Sequence, residues 1–436
     1  MPLTWSEFLK RRQWMALQLF SNTGATRTIM VCSHIWWTEQ IALALFNAGY
    51  NVLFHPPFYL YYTEEAAWNQ FDAHWLNIRQ TIRDHKVSLI LGGNSCGILV
   101  HPKTGELVHH NAGAEGRSVP VVSWWWDEVR NRPPCARAGI SPADFLKILA
   151  DPDTLNAIWD LDVKEELEAQ YSLKNLVHLP LATLPEFWPH GFIPMEERPL
   201  TACFLGNCHF DAAWAATDQD PLLDWARDVV ARKVADIQVP MQQCIDAATL
   251  KHGGIPAQSK YLGGTDAWDD FAQPWALINA AWMHTTRNQM VLAAEGHLKG
   301  KLALIGKGWN ALGLRANMEH AGEKSGVIYG QSQISLNLFG GCVHGGLPLR
   351  PFDIAASSGL ILTHNQRELA SHFAHGAECV VFNNKSELVA QIDHIRSHPK
   401  AYNEICKAGR RKVLSYHTWR HRLDALVKEL TRRGLL

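Results

Sequence analysis

The residues most able to do chemistry in this sequence lie near position 350, where two glycines precede an arginine and an aspartate. Gly345 and Gly346 permit backbone conformations that other residues resist, and Pro351 suits the first turn of a following helix. A loop of this kind presents free backbone N–H groups and the positive end of the helix dipole at one place, which favours an anion. Arg350 adds a fixed positive charge, and Asp353 is placed to accept hydrogen bonds from a sugar diol. The alternative interpretation is an ordinary helix cap with a surface arginine and aspartate.

Composition indicates a globular protein and argues against several partners. The chain has 436 residues, of which 47% are hydrophobic and 19% charged, and its formal net charge is -1. That charge provides no basic surface for nucleic acid and no polybasic membrane signal. Charges interrupt the first apolar residues, and no stretch approaches ~18 uninterrupted apolar residues, so we expect neither a secretory signal nor an integral membrane segment. We therefore expect a cytoplasmic protein.

The cysteines and histidines do not predict a metal site. The nine cysteines are scattered and lack the paired spacing of a zinc site or redox centre. Several lie in apolar runs, where a thiol packs as a small hydrophobic group, so we expect reduced, structural cysteines. The 22 histidines seldom take ligand spacing. We therefore expect no bound metal.

Short apolar runs alternate with helical segments along most of the chain, which is the pattern of βαβ units in a parallel sheet. One helix is predicted over residues 5–21. Predicted strands of the first half are Thr28–Cys32, Asn51–Phe54, Val87–Leu91 and Val119–Trp124. Those of the second half are Leu200–Leu205, Lys301–Ile305, Gly326–Ile328, Leu360–Leu362 and Glu378–Phe382. A helix is expected at Ser332–Leu336.

The chain is predicted to form two α/β domains, residues 1–195 and 200–415, joined by a proline-bearing linker at 194–199. A helical insertion at about 210–282 interrupts the second domain, and residues 416–436 form a terminal helix. Ligands of open α/β sheets bind beyond the carboxyl ends of the strands. The loops expected at such ends, facing one interdomain cleft, are Ser33–Trp37, Gly92–Asn94, Trp124–Asp127, Gly206–His209, Gly306–Trp309 and His344–Arg350.

Several segments of the second half occur in the order typical of one family. They include Cys203–Asn207, the helix that begins at Arg287, Ala303–Trp309, Leu349–Ala356 and His417–Leu423. Together they resemble the C-terminal domain of the group 1 type glycosyltransferases, in particular the branch similar to the spore maturation protein CgeB. The resemblance implies a GT-B architecture, with two Rossmann-like domains and a nucleotide-sugar bound in the cleft, mostly against the second. It also implies that the terminal helix crosses back onto the first domain.

A nucleotide-sugar donor would need cations and backbone N–H groups around its departing diphosphate. The candidates for this task are Arg287, Lys307, Gly345, Gly346 and Arg350. Candidates for the ribose and nucleotide are Asp353, Gly206, Asn207, Gly306 and Trp309. Simpler interpretations exist: a helix-surface arginine for Arg287, a solvated turn for Lys307 and plain core for Trp309. Most relatives carry Glu where this chain has Asp353, which is one methylene shorter.

An inverting reaction would need a general base near the acceptor hydroxyl. His34 and Asp127 are the candidates, and the three tryptophans before Asp127 are able to form the floor of a sugar site. A retaining enzyme would need neither base. The resemblance favours a retaining, metal-independent transferase with the nucleotide-sugar as substrate, no cofactor, and a glycan, lipid-linked glycan, lipid or protein as acceptor. The alternatives are a non-catalytic GT-B-like nucleotide- or sugar-binding scaffold and another GT-B enzyme, such as a sugar-nucleotide epimerase or a glycogen-type phosphorylase.

Overall fold

The computed structural model describes residues 3–13, 16–32, 36–131, 140–185, 188, 191–208, 220–256, 267–341 and 343–436. The chain forms two compact units: Met1–Pro180 together with Trp419–Leu436, and Leu181–Thr418. Each unit contains one β-sheet with helices. None of the helices in the described ranges combines the length and apolar character that crossing a bilayer requires. The cysteines within those ranges form no disulfide with one another.

The first unit contains a seven-stranded sheet in the order β1-β3-β2-β4-β5-β6-β7. The strands are β1 (Gln18–Phe20), β2 (Thr28–Cys32), β3 (Asn51–His55), β4 (Val87–Gly93), β5 (Val121–Trp125), β6 (Thr154–Ile158) and β7 (Leu176–His178). Only β1 is antiparallel to its neighbour. The α-helices are Trp5–Arg11, Trp36–Asn47, Leu60–Thr63, Glu65–Trp68, Phe71–Asp84, Pro142–Leu149, Leu161–Tyr171 and Trp419–Arg432. Every residue of β2, β5 and β6 is buried, as expected for parallel strands covered on both faces.

The second unit contains a parallel five-stranded sheet in the order β12-β11-β10-β8-β9. The strands are β8 (Leu200–Leu205), β9 (Leu302–Ile305), β10 (Ser332–Asn337), β11 (Ile361–His364) and β12 (Val380–Phe382). The α-helices are Pro221–Ala235, Met241–Lys251, Ala267–Trp282, Asn288–Leu298, Ser325–Gln331, Leu349–Ala356, Leu369–His372, Lys385–Ser397 and Asn403–Tyr416. The core lies between the sheet and its helices and includes Phe204, Ile334 and Ile392.

Four of these helices lie between β8 and β9, and the first three form an apolar cluster of their own. The first begins where the Asp220 carboxylate accepts the N–H groups of Leu222 and Leu223, and Pro221 occupies a first-turn position that needs no donor. Residues from all three helices, among them Trp225, pack together in this cluster. The third helix continues through a π-helical turn into Asn288–Leu298.

Three predicted elements are wrong. In place of one helix over 5–21, a helix ends at Arg11 and β1 follows, because these residues pair with β3 at the sheet edge. The strand and helix predicted at Gly326–Ile328 and Ser332–Leu336 are reversed: Ser325–Gln331 is helical and β10 begins at Ser332. Strand β10 lies between β8 and β11, and a strand buried on both sides lacks the alternating pattern that would identify it.

Arg198 joins three segments of the second unit. Its guanidinium donates to the carbonyl oxygens of Ile193, Ser332 and Ser358 at 2.9, 2.9 and 2.8 Å, and the side chain is buried. Ser332 begins β10, and Ser358 follows the helix Leu349–Ala356. Arg198 therefore ties the chain before β8 to the start of β10 and to the end of the helix that carries Arg350 and Asp353.

Replacing Arg198 with methionine should lower the free energy of unfolding by about 3 kcal/mol or more, because three carbonyls lose a charged donor. Urea unfolding measures the change. Arg117→Met is the control: this exposed arginine pairs only with the equally exposed Glu115 in the described structure, so its loss should leave the unfolding midpoint unchanged. An equal loss of stability in both variants would contradict the prediction.

Candidate active site

Two guanidinium groups converge beside Gly206, the residue that follows β8. A Cβ atom at Gly206 would collide with Nη2 of Arg287 and would lie 3.3 Å from Nη2 of Arg350. The Cζ atoms of the two arginines are 5.2 and 5.6 Å from the centre of the Phe204 ring. A side chain at position 206 would therefore occupy the space into which both positive charges extend.

Arg287 is positioned by an irregular helix. It is the last residue of the π-helical turn Met283–Arg287, which lies between two α-helical segments. Such wide turns are frequent at functional sites because they redirect a side chain. Arg287 is buried, and its Nη1 donates to the carbonyl oxygen of Asn207 at 2.8 Å. The same side chain therefore holds the loop after β8 and brings a positive charge to it.

Arg350 approaches from the helix Leu349–Ala356. Its Nη1 lies 3.3 Å from the carbonyl oxygen of Leu338 and 3.5 Å from Oδ1 of Asn337, the last residue of β10. Nδ2 of Asn337 donates to Oγ1 of Thr363 at 2.9 Å, which fixes the orientation of the amide. Arg350 forms no ion pair with any carboxylate in the described part of the chain, and its side chain is partly exposed. Its charge therefore remains available to an anion.

Asp353 lies inside the second unit. Oγ1 of Thr183 donates to Oδ1 of Asp353 at 2.7 Å, and the indole N–H of Trp188 donates to the same hydroxyl. Burial raises the pKa of Asp353 to about 8, although the Thr183 hydroxyl and the positive charge of Arg350 favour ionisation. The carboxyl is therefore mostly neutral near pH 7 and leaves the charge of Arg350 largely uncompensated. A contact of Asp353 with ribose stays a prediction.

The loop after β9 packs directly on the loop after β8. Gly306 has a φ of 140°, and a Cβ atom there would collide with the carbonyl oxygen of Gly206. The backbone N–H of Lys307 donates to Oδ1 of Asn207 at 2.9 Å, and Nε1 of Trp309 donates to the Gly206 carbonyl at 2.8 Å. Trp309 is buried in the core of the unit. Its visible role is to position this loop, and a nucleobase contact stays a prediction.

The remaining donor-side candidates are placed differently. The Lys307 side chain is exposed, with its ammonium 3.6 Å from the carboxylate of Glu319. Gly345 and Gly346 are buried before the helix Leu349–Ala356, and the Gly345 carbonyl accepts the N–H of Glu368 at 2.9 Å. The structure thus brings the two arginines together with the loops after β8 and β9. Within the described residues, the Lys307 ammonium forms no hydrogen bond with the arginines or with other residues of these two loops.

Two candidates belong to the first unit. Asp127 follows β5, and its Oδ2 accepts the Nδ2 of Asn94 at 2.9 Å. Trp124 and Trp125 are completely buried, so the predicted tryptophan floor of a sugar site is wrong for these two: parallel strands covered on both faces bury each successive side chain. His34 lies outside the described residues. Acceptor-side roles for His34 and Asp127 stay predictions.

Sequence reasoning missed three residues of this site. Phe204 lies beneath both guanidinium groups, Asn337 contacts Arg350, and Thr183 donates to Asp353. Asn337 carried a signal that was available in the sequence, since it is a polar residue that ends a buried strand. Thr183 carried none, because its partner is 170 residues away.

Part of the chain is similar to a known family. Residues 286–428 match a family model described as Glycosyl transferase-like. This segment contains both arginines and the loop after β9 but not β8. No curated protein matches the sequence.

Solved structures resemble nearly the whole chain. Sucrose-phosphate synthase from Thermosynechococcus elongatus aligns over 93% of this chain and 99% of its own, with a TM-score of 0.50 and 11% identity. A glycosyltransferase from Rickettsia africae aligns over 94% and 99%, with a TM-score of 0.49 and 11% identity. Anabaena HepE in complex with UDP aligns over 93% and 100%, with a TM-score of 0.45 and 8% identity. The likeness to the synthase confirms the predicted fold class, two Rossmann-like α/β domains of the GT-B type.

Replacing Asp353 with asparagine should stabilise the protein, and the gain should grow as the pH rises from about 4 to about 8. The folded wild type retains a proton that the unfolded chain releases above the ordinary pKa of 3.8, so the free energy of unfolding falls with pH until the folded pKa of about 8 is reached. Asparagine has no such proton and can still accept the Thr183 hydrogen bond. Melting temperatures of both proteins across this range measure the effect. A pH-independent difference would contradict it.

Proposed function

We propose that the protein is a glycosyltransferase that moves a sugar from a nucleotide-sugar donor to an acceptor hydroxyl. The observation that carries this proposal is the convergence of Arg287 and Arg350 beside Gly206 at the carboxyl end of β8, where ligands of open α/β sheets bind. A diphosphate presents several charged oxygens, and guanidinium groups bind such oxygens through two parallel hydrogen bonds. The family-model match over residues 286–428 supports the same reaction class.

In this reaction the bond between the anomeric carbon and the diphosphate oxygen breaks, and its electron pair remains on the diphosphate. A new bond forms between the anomeric carbon and the acceptor oxygen, whose proton passes to the departing diphosphate or to solvent. Negative charge therefore grows on the leaving diphosphate. Arg287 and Arg350 are fixed in place before the reaction by the Asn207 and Leu338 carbonyls. Preorganised groups of this kind stabilise the developing charge without any reorganisation of the protein during the reaction.

We propose further that the reaction is metal-independent and retaining, as in the CgeB-like branch. The two arginines supply at the diphosphate the positive charge that a divalent ion supplies in other enzymes. Backbone groups of Gly206, Asn207 and Gly306 would then line the nucleotide side.

The remaining roles follow the same proposal. Gly345, Gly346 and Lys307 would add donors around the diphosphate, and Trp309 and Asp353 would act near the nucleotide. The donor is a substrate, and no cofactor takes part. A glycan, lipid or protein accepts the sugar, with the cytoplasm as the proposed location.

The test offers the protein a panel of uridine, guanosine, thymidine and adenosine diphosphate sugars. Turnover of each donor is measured as the release of its nucleoside diphosphate. One donor should be turned over by the wild type. Arg350→Ala should reduce kcat about 100-fold with that nucleotide-sugar, because one preorganised hydrogen-bond donor to the developing negative charge is lost. The anomeric configuration of the product, read by NMR, tests retention separately.

Arg396→Ala is the matched control, since Arg396 is an exposed arginine on the helix Lys385–Ser397 of the same unit. It should leave turnover unchanged. Binding of a nucleotide without turnover of any donor would favour the non-catalytic scaffold. Equal activity of Arg350→Ala and the wild type would contradict the role assigned to the arginines.

A further inference from the structure

A second group of chemically capable side chains lies in the first unit, far along the chain from the arginines. His109 and His110 belong to the turn that precedes β5, and Asp151 lies between the helix Pro142–Leu149 and β6. The N–H of Val119 donates to the His109 carbonyl at 3.0 Å, which places this turn at the start of β5. The cluster is therefore at the amino edge of the sheet, opposite the edge where Asp127 follows β5.

The three side chains have the geometry of a metal site. Their ligand atoms all lie within 4.8 Å of one another. Nε2 of His110 is 2.9 Å from Oδ2 of Asp151, and Nε2 of His109 is 3.6 Å from Oδ1 of the same carboxylate. Ligands that share one tetrahedral Zn²⁺ at about 2.0–2.2 Å are about 3.3–3.6 Å apart, so small side-chain movements would suffice.

His109 provides the independent observation that points to a ligand. Its side chain is completely buried, and within the described ranges neither ring nitrogen has a hydrogen-bond partner. The 3.6 Å separation from Asp151 is too long for a hydrogen bond. A buried polar group without a partner costs about 1–3 kcal/mol. A metal ion between His109 and Asp151 would remove that cost.

The surroundings of Asp151 and His110 suit the same role. Oδ1 of Asp151 accepts the N–H of Asp153 at 2.9 Å, which orients the carboxylate as outer hydrogen bonds do in metal sites. The side chain of His110 is 31% exposed, which offers an ion a path from solvent. Imidazole nitrogens favour Zn²⁺ and related transition ions, whereas Mg²⁺ and Ca²⁺ prefer oxygen ligands throughout.

We propose that His109, His110 and Asp151 bind one divalent transition-metal ion, with Zn²⁺ as the best fit and water in the fourth position. The ion ties the turn before β5 to the turn before β6 and stabilises the first unit. Its position at the amino edge of the sheet assigns it a structural role, separate from the sugar transfer proposed above.

The experiment uses untagged full-length protein freed of metal with a chelator. Zn²⁺ titration calorimetry should give about one equivalent bound, and Zn²⁺ should raise the melting temperature of the first unit. The Co²⁺ form should show the visible absorption of a four-coordinate site. His110→Ala, whose side chain is partly exposed, and Asp151→Asn, which keeps an acceptor for Asp153, should each weaken Zn²⁺ binding at least about 100-fold.

His297→Ala is the matched control. His297 is 29% exposed and lies 2.7 Å from the Asp393 carboxylate, so it forms a similar pair without a third ligand in the described structure. Its replacement should leave Zn²⁺ binding unchanged. The proposal is overturned if the wild type binds no stoichiometric Zn²⁺, in which case the cluster is a hydrogen-bonded group only. It is equally overturned if His110→Ala and Asp151→Asn bind as the wild type does, or if His297→Ala loses binding to the same extent.

Discussion

The main physical constraint on the candidate site is that the positive charges of Arg287 and Arg350 are held together beside Gly206. Arg287 and Arg350 come from different helices and meet above the Phe204 ring at the end of β8. The two guanidinium groups carry like charges and repel each other, and this repulsion is strongest where water is partly excluded. Carbonyl oxygens and the aromatic face offset part of the repulsion. An anion with several oxygens would remove most of the remainder, and so the arrangement favours a diphosphate.

Much of the surrounding structure serves to keep this arrangement fixed. Gly306 packs on the Gly206 carbonyl, and the Trp309 indole donates to the same carbonyl. The loops after β8 and β9 are thereby locked to each other independently of any ligand. The buried Asp353 carboxyl is mostly neutral near pH 7, so it leaves the positive charge of Arg350 largely uncompensated. The arrangement is thus built before any ligand binds, as the proposed electrostatic stabilisation of a leaving diphosphate requires.

The sequence predicted the parts of this structure that depend on local pattern. Alternating apolar runs and helices identified the parallel sheets, and the glycine-bearing loops identified the strand ends. Strand β10 was missed because its residues lie in the middle of a sheet, where periodicity is lost. The hydrogen bond that Asp353 accepts comes from Thr183, which is 170 residues away, so no local pattern could predict it.

The proposed metal cluster shows the same limit in the first unit. His110 and Asp151 are separated by 41 residues, and no spacing rule connects them. The scattered histidines therefore gave no sign of a site, and only the packing of two turns at the amino edge of the sheet brings the three ligands together. Both candidate sites depend on contacts between segments far apart in sequence. The sequence named Arg287 and Arg350 for the first site, whereas Phe204, Asn337 and Thr183 and the three metal ligands were identified only from the fold.

The binding of a diphosphate by the two arginines is best tested by calorimetry, with a nucleoside diphosphate and the matching monophosphate titrated into the wild type and into Arg350→Ala. A hydrogen bond to a charged group contributes about 1.5–3 kcal/mol, which corresponds to roughly 10- to 150-fold in affinity. The wild type should prefer the diphosphate by a factor in this range, and Arg350→Ala should lose most of that preference. An equal preference in both proteins would contradict this prediction, because the second phosphate would then be bound elsewhere.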